Sequence, residues 1–169
     1  MTAEILVLSV FPLLLALAAA WDLTSFTIPN FISVSLLGIF AVYALASGIS
    51  MPALGAHLLA GTIGLAAGFA LFSLGYIGGG DAKLFASALL WLGLGDILQY
   101  ALVASLLGGA LTLAILSLRM IPLPALLANQ SWIQRLHDAR SGIPYGVALS
   151  SGALAVLPYS EIFHAATRI

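Results

Sequence analysis

The sequence contains no cysteine and very little charge. Without cysteine the chain can form no disulfide, no thiol nucleophile and no cysteine-based zinc or iron–sulfur site. Only 7% of the 169 residues are charged, against about 25% in a soluble domain, so the chain cannot cover a water-facing surface. The net charge of −1 gives no reason to expect a nucleic-acid partner. His57, His137 and His164 lie far apart in sequence, and we expect no metal and no cofactor.

Long apolar runs are what the chain has instead, since 62% of its residues are hydrophobic. A spanning helix needs about 20 apolar residues, and it satisfies its backbone polar groups internally. The sequence therefore predicts an all-α membrane protein, a single domain over residues 1–169 built as a bundle of about six transmembrane helices. The predicted spans are Ile5–Trp21, Ile28–Ala46, Leu54–Gly75, Ala82–Leu94, Ile97–Leu118 and Ile143–Leu157. The fourth is short, so we expect it to tilt, to thin the bilayer or to begin within the glycine stretch.

The stretch Gly78–Asp81 interrupts this apolar pattern with three glycines and a carboxylate. Consecutive glycines break a helix, and a charge between apolar spans is costly enough to indicate a functional site. Lys83 follows Asp81 by two positions, about 200° around a regular helix, so the two side chains should face apart. Lys83 either reaches the lipid headgroups or contacts a substrate. We hypothesise that Asp81 is half of a catalytic pair.

Asp22, at the end of the first span, is the candidate for the other half. A helix C-terminus disfavours negative charge, so Asp22 is either an interfacial charge that ends the span or a functional carboxylate. Six spans place Asp22 and Asp81 on one side of the membrane. The cations of that side are Lys83, Arg119, Arg135 and Arg140, whereas the other side has only Arg168. The positive-inside rule then predicts that both aspartates are cytoplasmic and both termini outside.

Two neighbouring carboxylates provide a specific chemistry. They cannot both ionise easily, so one stays protonated as the acid while the other serves as the base. Such a pair lets water attack a peptide carbonyl without a covalent intermediate. Glycine beside the pair lets a substrate strand approach closely. The topology therefore predicts that Asp22 and Asp81 form an aspartic-peptidase dyad at the cytoplasmic interface.

A second Gly-x-Gly-Asp string, Gly93–Asp96, has a structural interpretation. The run Asp96–Gln99 fits a capping box, with Asp at the N-cap and Gln at the third helical position. Asp96 also lies one span beyond Asp81, on the opposite side of the membrane. We therefore predict that Asp96 caps a helix and takes no part in catalysis.

Four further patterns concern helix ends and packing. Pro29 suits the first turn of the second helix, and Thr27 its cap. Gly61, Gly64 and Gly68 let a neighbouring helix approach the third span. The polar segment Arg119–Ser141 predicts a short interfacial helix. Its apolar face would consist of Leu126, Trp132, Ile133 and Leu136.

Three motifs in order resemble those of the type IV prepilin peptidases, which are membrane aspartic proteases. They are Asp22 with Ile28-Pro29-Asn30, then Gly78-Gly79-Gly80-Asp81-Ala82-Lys83, then Ile143-Pro144-Tyr145-Gly146. The resemblance implies that Asp22 and Asp81 are catalytic and that the surrounding motif residues support them. Those supporting residues are Gly78, Gly80, Lys83, Pro29 and Asn30. It also implies prepilin or pseudopilin substrates, whose short basic leader is removed at the cytoplasmic face of a bacterial or archaeal inner or plasma membrane, just before the substrate's hydrophobic helix.

The chain departs from the larger members of that family. Those members carry an extra cytoplasmic segment near the N-terminus, often with paired cysteines that bind zinc, and they N-methylate the new terminus. Here the connection from Asp22 to Ile28 is minimal and cysteine is absent. The chain is similar to the compact form of Flp (tight-adherence) pilus systems or to an archaeal relative. We predict that it has no N-methyltransferase activity.

Two other classes compete with this interpretation. Presenilin-type and signal-peptide-peptidase-type proteases share Gly-x-Gly-Asp, but they usually have more spans and we would expect Tyr beside the first aspartate, where this chain has Trp21. A small transporter or channel subunit could carry protons or cations on Asp22 and Asp81. Against it, the six spans show no inverted repeat with matched broken helices.

Overall fold

The computed structural model describes residues 2–124, 126–127 and 129–167, and the regular secondary structure in this part of the chain is helical. Helix α1 begins as an α-helical turn (Thr2–Ile5), passes through a π-helical turn (Leu6–Val10) and continues as Phe11–Ser25. The other helices are α2 (Asn30–Ser47), α3 (Met51–Ser73), α4 (Gly79–Leu92), α5 (Ile97–Arg119), α6 (Ser131–His137), α7 (Tyr145–Val156) and α8 (Glu161–Thr167). The all-α prediction is confirmed. Arg168, the cation predicted for the far side, lies outside the described residues.

Among the described residues, four helices are long and apolar enough to cross a membrane, namely α1, α2, α3 and the segment Leu94–Arg119 that contains α5. A fifth candidate is the apolar pair of helices Tyr145–Tyr159 and Glu161–Thr167, bent by 55° where they meet. Helix α4 has 14 residues, about 21 Å at 1.5 Å per residue, and is shorter than a hydrocarbon core of about 30 Å. The prediction of a membrane bundle with about six helical segments is compatible with this architecture.

Glycines on α3 bring α4 into close contact. A Cβ on Gly64 would lie 2.7 Å from Leu89 Cδ1, and one on Gly68 would lie 3.0 Å from Ala82 Cα. Such distances leave no room for a side chain, so the two helices pack backbone to backbone, as small residues allow in membranes. The predicted packing role of these glycines is confirmed.

An aromatic cluster fixes α1, α2 and α4 to one another. The Trp91 indole of α4 is fully buried, stacks on Phe11 of α1 with ring centroids 4.7 Å apart, and donates its N–H to the Leu36 carbonyl of α2 at 3.0 Å. A buried indole needs such a partner. The cluster therefore orients the helices that begin or end at the two predicted catalytic aspartates.

The turn between α1 and α2 differs from the prediction. Phe26 adopts a left-handed conformation with φ 58° and donates its N–H to the Asp22 carbonyl. Helix α2 then begins at Asn30, directly after Pro29, without a side-chain cap. Thr27 lies outside the helix, and its hydroxyl pairs with the Ser25 hydroxyl at 2.9 Å. The predicted cap by Thr27 and the predicted place of Pro29 in the first turn are therefore wrong, because α2 begins two residues later than predicted, with Pro29 extended at its N-cap.

The polar segment after α5 contains the predicted short helix, α6. Trp132, Ile133 and Leu136 line an apolar cavity of about 430 Å³ between this segment and α5. Leu126 lies before α6 and is 91% exposed, so its assignment to the apolar face is wrong. The Arg119 guanidinium donates to three backbone carbonyls between residues 136 and 142, which ties the segment to the end of α5.

Candidate active site

Asp22 lies in the last turns of α1, and its side chain is buried with only 4% exposed. Its Oδ2 accepts the Gly146 N–H at 2.7 Å, and the Val147 N–H also bonds to this carboxylate. Both donors belong to the first turn of α7, so the carboxylate occupies the positive end of that helix, where negative charge is favoured. A Cβ on Gly146 would lie 2.8 Å from the same oxygen. Only glycine lets the backbone come this close.

Asp81 is the third residue of α4 and is partly buried. Its Oδ2 accepts the Gly78 N–H at 3.0 Å, so the side chain folds back over the start of its own helix. A carboxylate at this position satisfies a backbone donor that the helix leaves unpaired. Like Asp22, Asp81 therefore has one oxygen held at a helix N-terminus.

The two carboxylates line one cavity of about 300 Å³, which we call the dyad cavity. Residues of the α1–α2 turn and of the glycine stretch also line it. The two carboxylates lie close enough to interact electrostatically. The structure thus brings together two residues that are 59 positions apart, as the predicted sidedness requires. Their catalytic role stays a prediction, which the geometry makes chemically reasonable.

Ile28 is the contact point between the motifs. A Cβ on Gly80 would lie 3.1 Å from Ile28 Cβ, and one on Gly146 would lie 2.7 Å from Ile28 Cδ1. The start of α4 and the start of α7 therefore both close on this one side chain, which is buried. The position of Ile28 sets how near the two helix N-termini, and hence the two carboxylates, approach.

Lys83 has a partner that neither sequence interpretation foresaw. Its Nζ donates to Asn30 Oδ1 at 2.7 Å, joining the start of α4 to the start of α2. Pro29 immediately precedes α2 and so puts Asn30 in the first turn. Lys83 lines a different cavity from Asp81, in agreement with the predicted opposite orientation of the two side chains.

The described residues offer a carboxylate pair for acid–base chemistry. Within residues 2–124, 126–127 and 129–167, no group of three or more His, Asp or Glu side chains could hold a metal ion. Each aspartate fixes Oδ2 on a backbone N–H. The second oxygen of each can then bind water and transfer protons.

A model of the type IV leader peptidase family matches residues 9–113, more than half of the chain. The chain belongs to the type IV leader peptidase family. Searches of curated proteins and of solved structures found no significant match. Membership of this family supports a leader-peptidase function for a chain whose apolar helices indicate a membrane protein. The matched residues include both aspartates, Asn30 and Lys83, whereas Gly146 lies beyond them.

The second Gly-x-Gly-Asp string of this family member lies outside the dyad cavity. Asp96 instead lines a cavity of about 340 Å³ with His57, Tyr159 and Glu161. Asp96 immediately precedes α5, as predicted, but its side chain makes no capping hydrogen bond. The predicted position is therefore confirmed and the predicted cap is wrong.

Two features of the candidate site were missed at the level of sequence. Gly146 was noted only as part of a motif, and its contact with Asp22 joins residues 124 positions apart. Tyr100 on α5 was not noted at all. Its hydroxyl is buried, has no hydrogen-bond partner among the described residues and lies within electrostatic range of Asp81. The Pro-Tyr-Gly string was the available signal for Gly146, whereas Tyr100 left none.

Proposed function

We propose that the chain is a membrane aspartic endopeptidase that removes the leader of type IV, Flp-like prepilins through the dyad Asp22 and Asp81. The observation that carries the proposal is the meeting of these two carboxylates in one cavity, each with one oxygen held by a backbone N–H at a helix N-terminus. The family match supports the same reaction class.

The proposed reaction needs only the two carboxyl groups and water. The ionised aspartate takes a proton from water as the oxygen attacks the scissile carbonyl carbon, while the protonated aspartate donates its proton to the carbonyl oxygen. The resulting tetrahedral diol then collapses. Its C–N bond breaks as the aspartate that took the proton from water gives that proton to the nitrogen, while the other aspartate takes a proton from one hydroxyl of the diol, and the new carboxyl group and the free amine leave. The dyad returns to one proton shared between two carboxylates.

The charge distribution supports a cytoplasmic site. Arg135 donates to the Ser25 carbonyl at 3.4 Å, three residues beyond Asp22, and Lys83 lies two residues beyond Asp81. Cations therefore cluster at the end of the bundle that holds the dyad, and the positive-inside rule assigns this end to the cytoplasm of an inner or plasma membrane. Both termini would then lie outside.

The short α1–α2 connection supports the absence of methyltransferase activity. Only residues 26–29 separate the two helices, and Thr27 and Ile28 of this turn already line the dyad cavity. The turn leaves no segment to build a second substrate site. We therefore infer that the new N-terminus of the product stays unmethylated.

The test is cleavage of a co-expressed prepilin that carries a short basic leader, read as a gel shift and by N-terminal sequencing. The intact chain should remove the leader, whereas Asp22→Asn and Asp81→Asn should not, at matched membrane levels, because an amide keeps the shape but cannot transfer the proton. The mass of the product should lack a methyl group.

Three outcomes would contradict parts of this proposal. Cleavage that survives in both variants would exclude the dyad. A methylated product would overturn the methyltransferase inference. Failure of the intact chain on several leader classes, with proton flux that depends on Asp22 and Asp81, would favour the transporter alternative.

A further inference from the structure

A lipid-facing groove separates two consecutive helices of the bundle. Helices α2 and α3 are joined by residues 48–50, and both pack on α4. Their own backbones stay apart, although the Phe40 and His57 rings meet with centroids 5.4 Å apart. A groove of about 470 Å³ opens between the two helices, and α4 forms its floor. Consecutive antiparallel helices in a bundle normally pack side by side. Here the space between the two helices is left open above α4.

The lining of the groove has the form of a helix-binding surface. Its walls are apolar and exposed, with Leu37 of α2 exposed at 51% and Leu65 of α3 at 52%. The middle of its floor is made of small buried residues, Ala86 and Ser87 of α4, between Lys83 and Leu90. Small residues below apolar walls allow the backbone of another helix to come close, which is how helices associate in membranes.

The groove and the dyad cavity have no described lining residue in common, but they adjoin where α2 and α4 begin. Ile28, in the turn before α2, lines the dyad cavity, and Asn30, the first residue of α2, lines the groove. On α4, Asp81 lines the dyad cavity and Lys83 lines the groove. From Lys83 to Leu90 the floor rises by about 10 Å, or two helical turns. A helix seated there would therefore end within a few residues of the two carboxylates.

We propose that this groove seats the apolar helix of the substrate, in its first two turns after the scissile bond. The inference rests on the proposed leader-peptidase function, in which cleavage takes place just before such a helix. Bilayer lipid would also fill apolar walls, but lipid does not require a groove that ends at the dyad. The groove explains how a membrane peptidase holds the substrate helix in register while the preceding extended residues reach Asp22 and Asp81.

Cysteine cross-linking tests this arrangement cleanly because the chain has no cysteine of its own. Leu37→Cys and Leu65→Cys would be made in an Asp81→Asn background and co-expressed with a prepilin carrying one cysteine in the first two turns of its helix. Leu102→Cys and Leu113→Cys, exposed at 62% and 68% on α5, are the matched controls. Disulfides form when the two Cα atoms are about 4.4–6.8 Å apart.

Cross-links from the groove positions to one face of the substrate helix, and none from α5, are expected. Equal cross-linking from α5, or none from the groove, would overturn the inference if the chain with Asp81 intact still cleaves the same prepilin. If that chain cleaves nothing, the leader-peptidase proposal itself fails and this inference with it. A groove filled by a second copy would give disulfide dimers of the Leu37→Cys or Leu65→Cys chain and would also overturn it.

Tryptophan substitutions that fill the groove test the proposal independently through kcat/KM. Val34→Trp and Thr62→Trp add bulk at exposed wall positions, so they should leave the fold intact. They should lower kcat/KM for the membrane-anchored prepilin by about 100-fold, since a small displacement of the scissile bond is sufficient for such a loss. Leu102→Trp should not. Equal kcat/KM values for all three variants would contradict the proposed seat.

Discussion

The chain contains two Gly-x-Gly-Asp strings, Gly78–Asp81 and Gly93–Asp96, in very different surroundings. The first ends in a carboxylate that shares a cavity with Asp22, at the end of the bundle where cations cluster. The second ends in a carboxylate that shares a cavity with His57 and Glu161, beyond the other end of α4. The same four-residue pattern therefore has different surroundings in the two places, because different residues of the neighbouring helices line the cavity beside each aspartate.

In the first string the glycines provide space. Gly78 has an ordinary φ of −74°, but a Cβ there would lie 3.0 Å from Asp81 Oδ2. A Cβ on Gly80 would lie 3.1 Å from Ile28 Cβ and 3.3 Å from its carbonyl oxygen. A side chain at either position would therefore crowd a group of the site, the Asp81 carboxylate at Gly78 and Ile28 at Gly80.

In the second string the first glycine provides a backbone conformation. Gly93 has φ 95° and ψ 178°, a region that essentially only glycine adopts. Gly95 has nothing within 4 Å of a Cβ. The comparison indicates that the first string is shaped around a site, whereas the second is shaped as a tight turn between α4 and α5.

The largest expected effect concerns the two carboxylates. Asp81→Asn should reduce prepilin cleavage by about 10²–10⁴-fold, the usual contribution of an acid–base group. Asp96→Asn should leave cleavage almost unchanged, because Asp96 lies outside the dyad cavity. Leader removal measured at matched expression checks both. Equal losses in the two variants would mean that the strings are functionally equivalent, and the comparison would fail.

The second effect concerns the third residue of each string. Gly80→Ala forces a methyl group against Ile28, and overpacking of this kind costs about 1–3 kcal/mol. Cleavage should fall about tenfold or more, because Ile28 also sets the approach of α7 to Asp22. Gly95→Ala adds its methyl group to open space and should have no effect on cleavage. An unimpaired Gly80→Ala enzyme would show that the contact with Ile28 does not control the dyad.

Substitution of the first glycine should reduce stability in the second string and cleavage in the first. Gly93→Ala should lower the free energy of unfolding by about 1–3 kcal/mol, since alanine is strained at this φ and ψ. Gly78→Ala should unfold near the temperature of the unsubstituted chain but cleave more slowly, because its methyl group crowds the Asp81 carboxylate. Thermal unfolding in detergent, together with the cleavage assay, distinguishes the two. A Gly78→Ala chain that is destabilised yet fully active would contradict the assignment.

The sequence was sufficient to predict the longer helices and which of their ends hold the aspartates, but not the short helix α8. Apolar runs in a membrane must form helices to satisfy their backbone groups, and counting spans then puts Asp22 and Asp81 on one side. The rotation of each helix about its axis does not follow from such a count. The Gly146 contact with Asp22 and the Asn30 contact with Lys83 depend on that rotation, so they were not predicted.

Predictions of helix capping from residue type were least accurate in the turns that precede helices. Thr27 is a good capping residue by type, but the left-handed Phe26 turns the chain so that α2 begins after Pro29. Asp96 sits at the predicted N-cap, but its carboxylate faces a cavity that also contains His57 and Glu161. For Thr27 the conformation of the preceding residue decides where the helix begins, whereas for Asp96 groups that are distant in sequence surround the side chain.

The smallest expected effect concerns the position two residues after each aspartate. Lys83 is tied to Asn30, whereas the corresponding residue of the second string, Leu98, is 82% exposed. Lys83→Ala removes this hydrogen bond. Loss of one hydrogen bond to a charged group at a partly solvated site should cost about 1 kcal/mol, so cleavage should fall about fivefold. Leu98→Ala should change nothing.

A double-mutant cycle distinguishes the contact of Lys83 with Asn30 from the two functions that the sequence left open for Lys83. If Lys83 acts by holding the start of α2 against α4, then Asn30→Ala, Lys83→Ala and the double variant should all lose a similar amount of activity, because each removes the same hydrogen bond. If Lys83 instead contacts the substrate or the headgroups directly, the two losses should add. Non-additivity would establish the tie between the Ile-Pro-Asn and Gly-x-Gly-Asp motifs as the feature that the second string lacks.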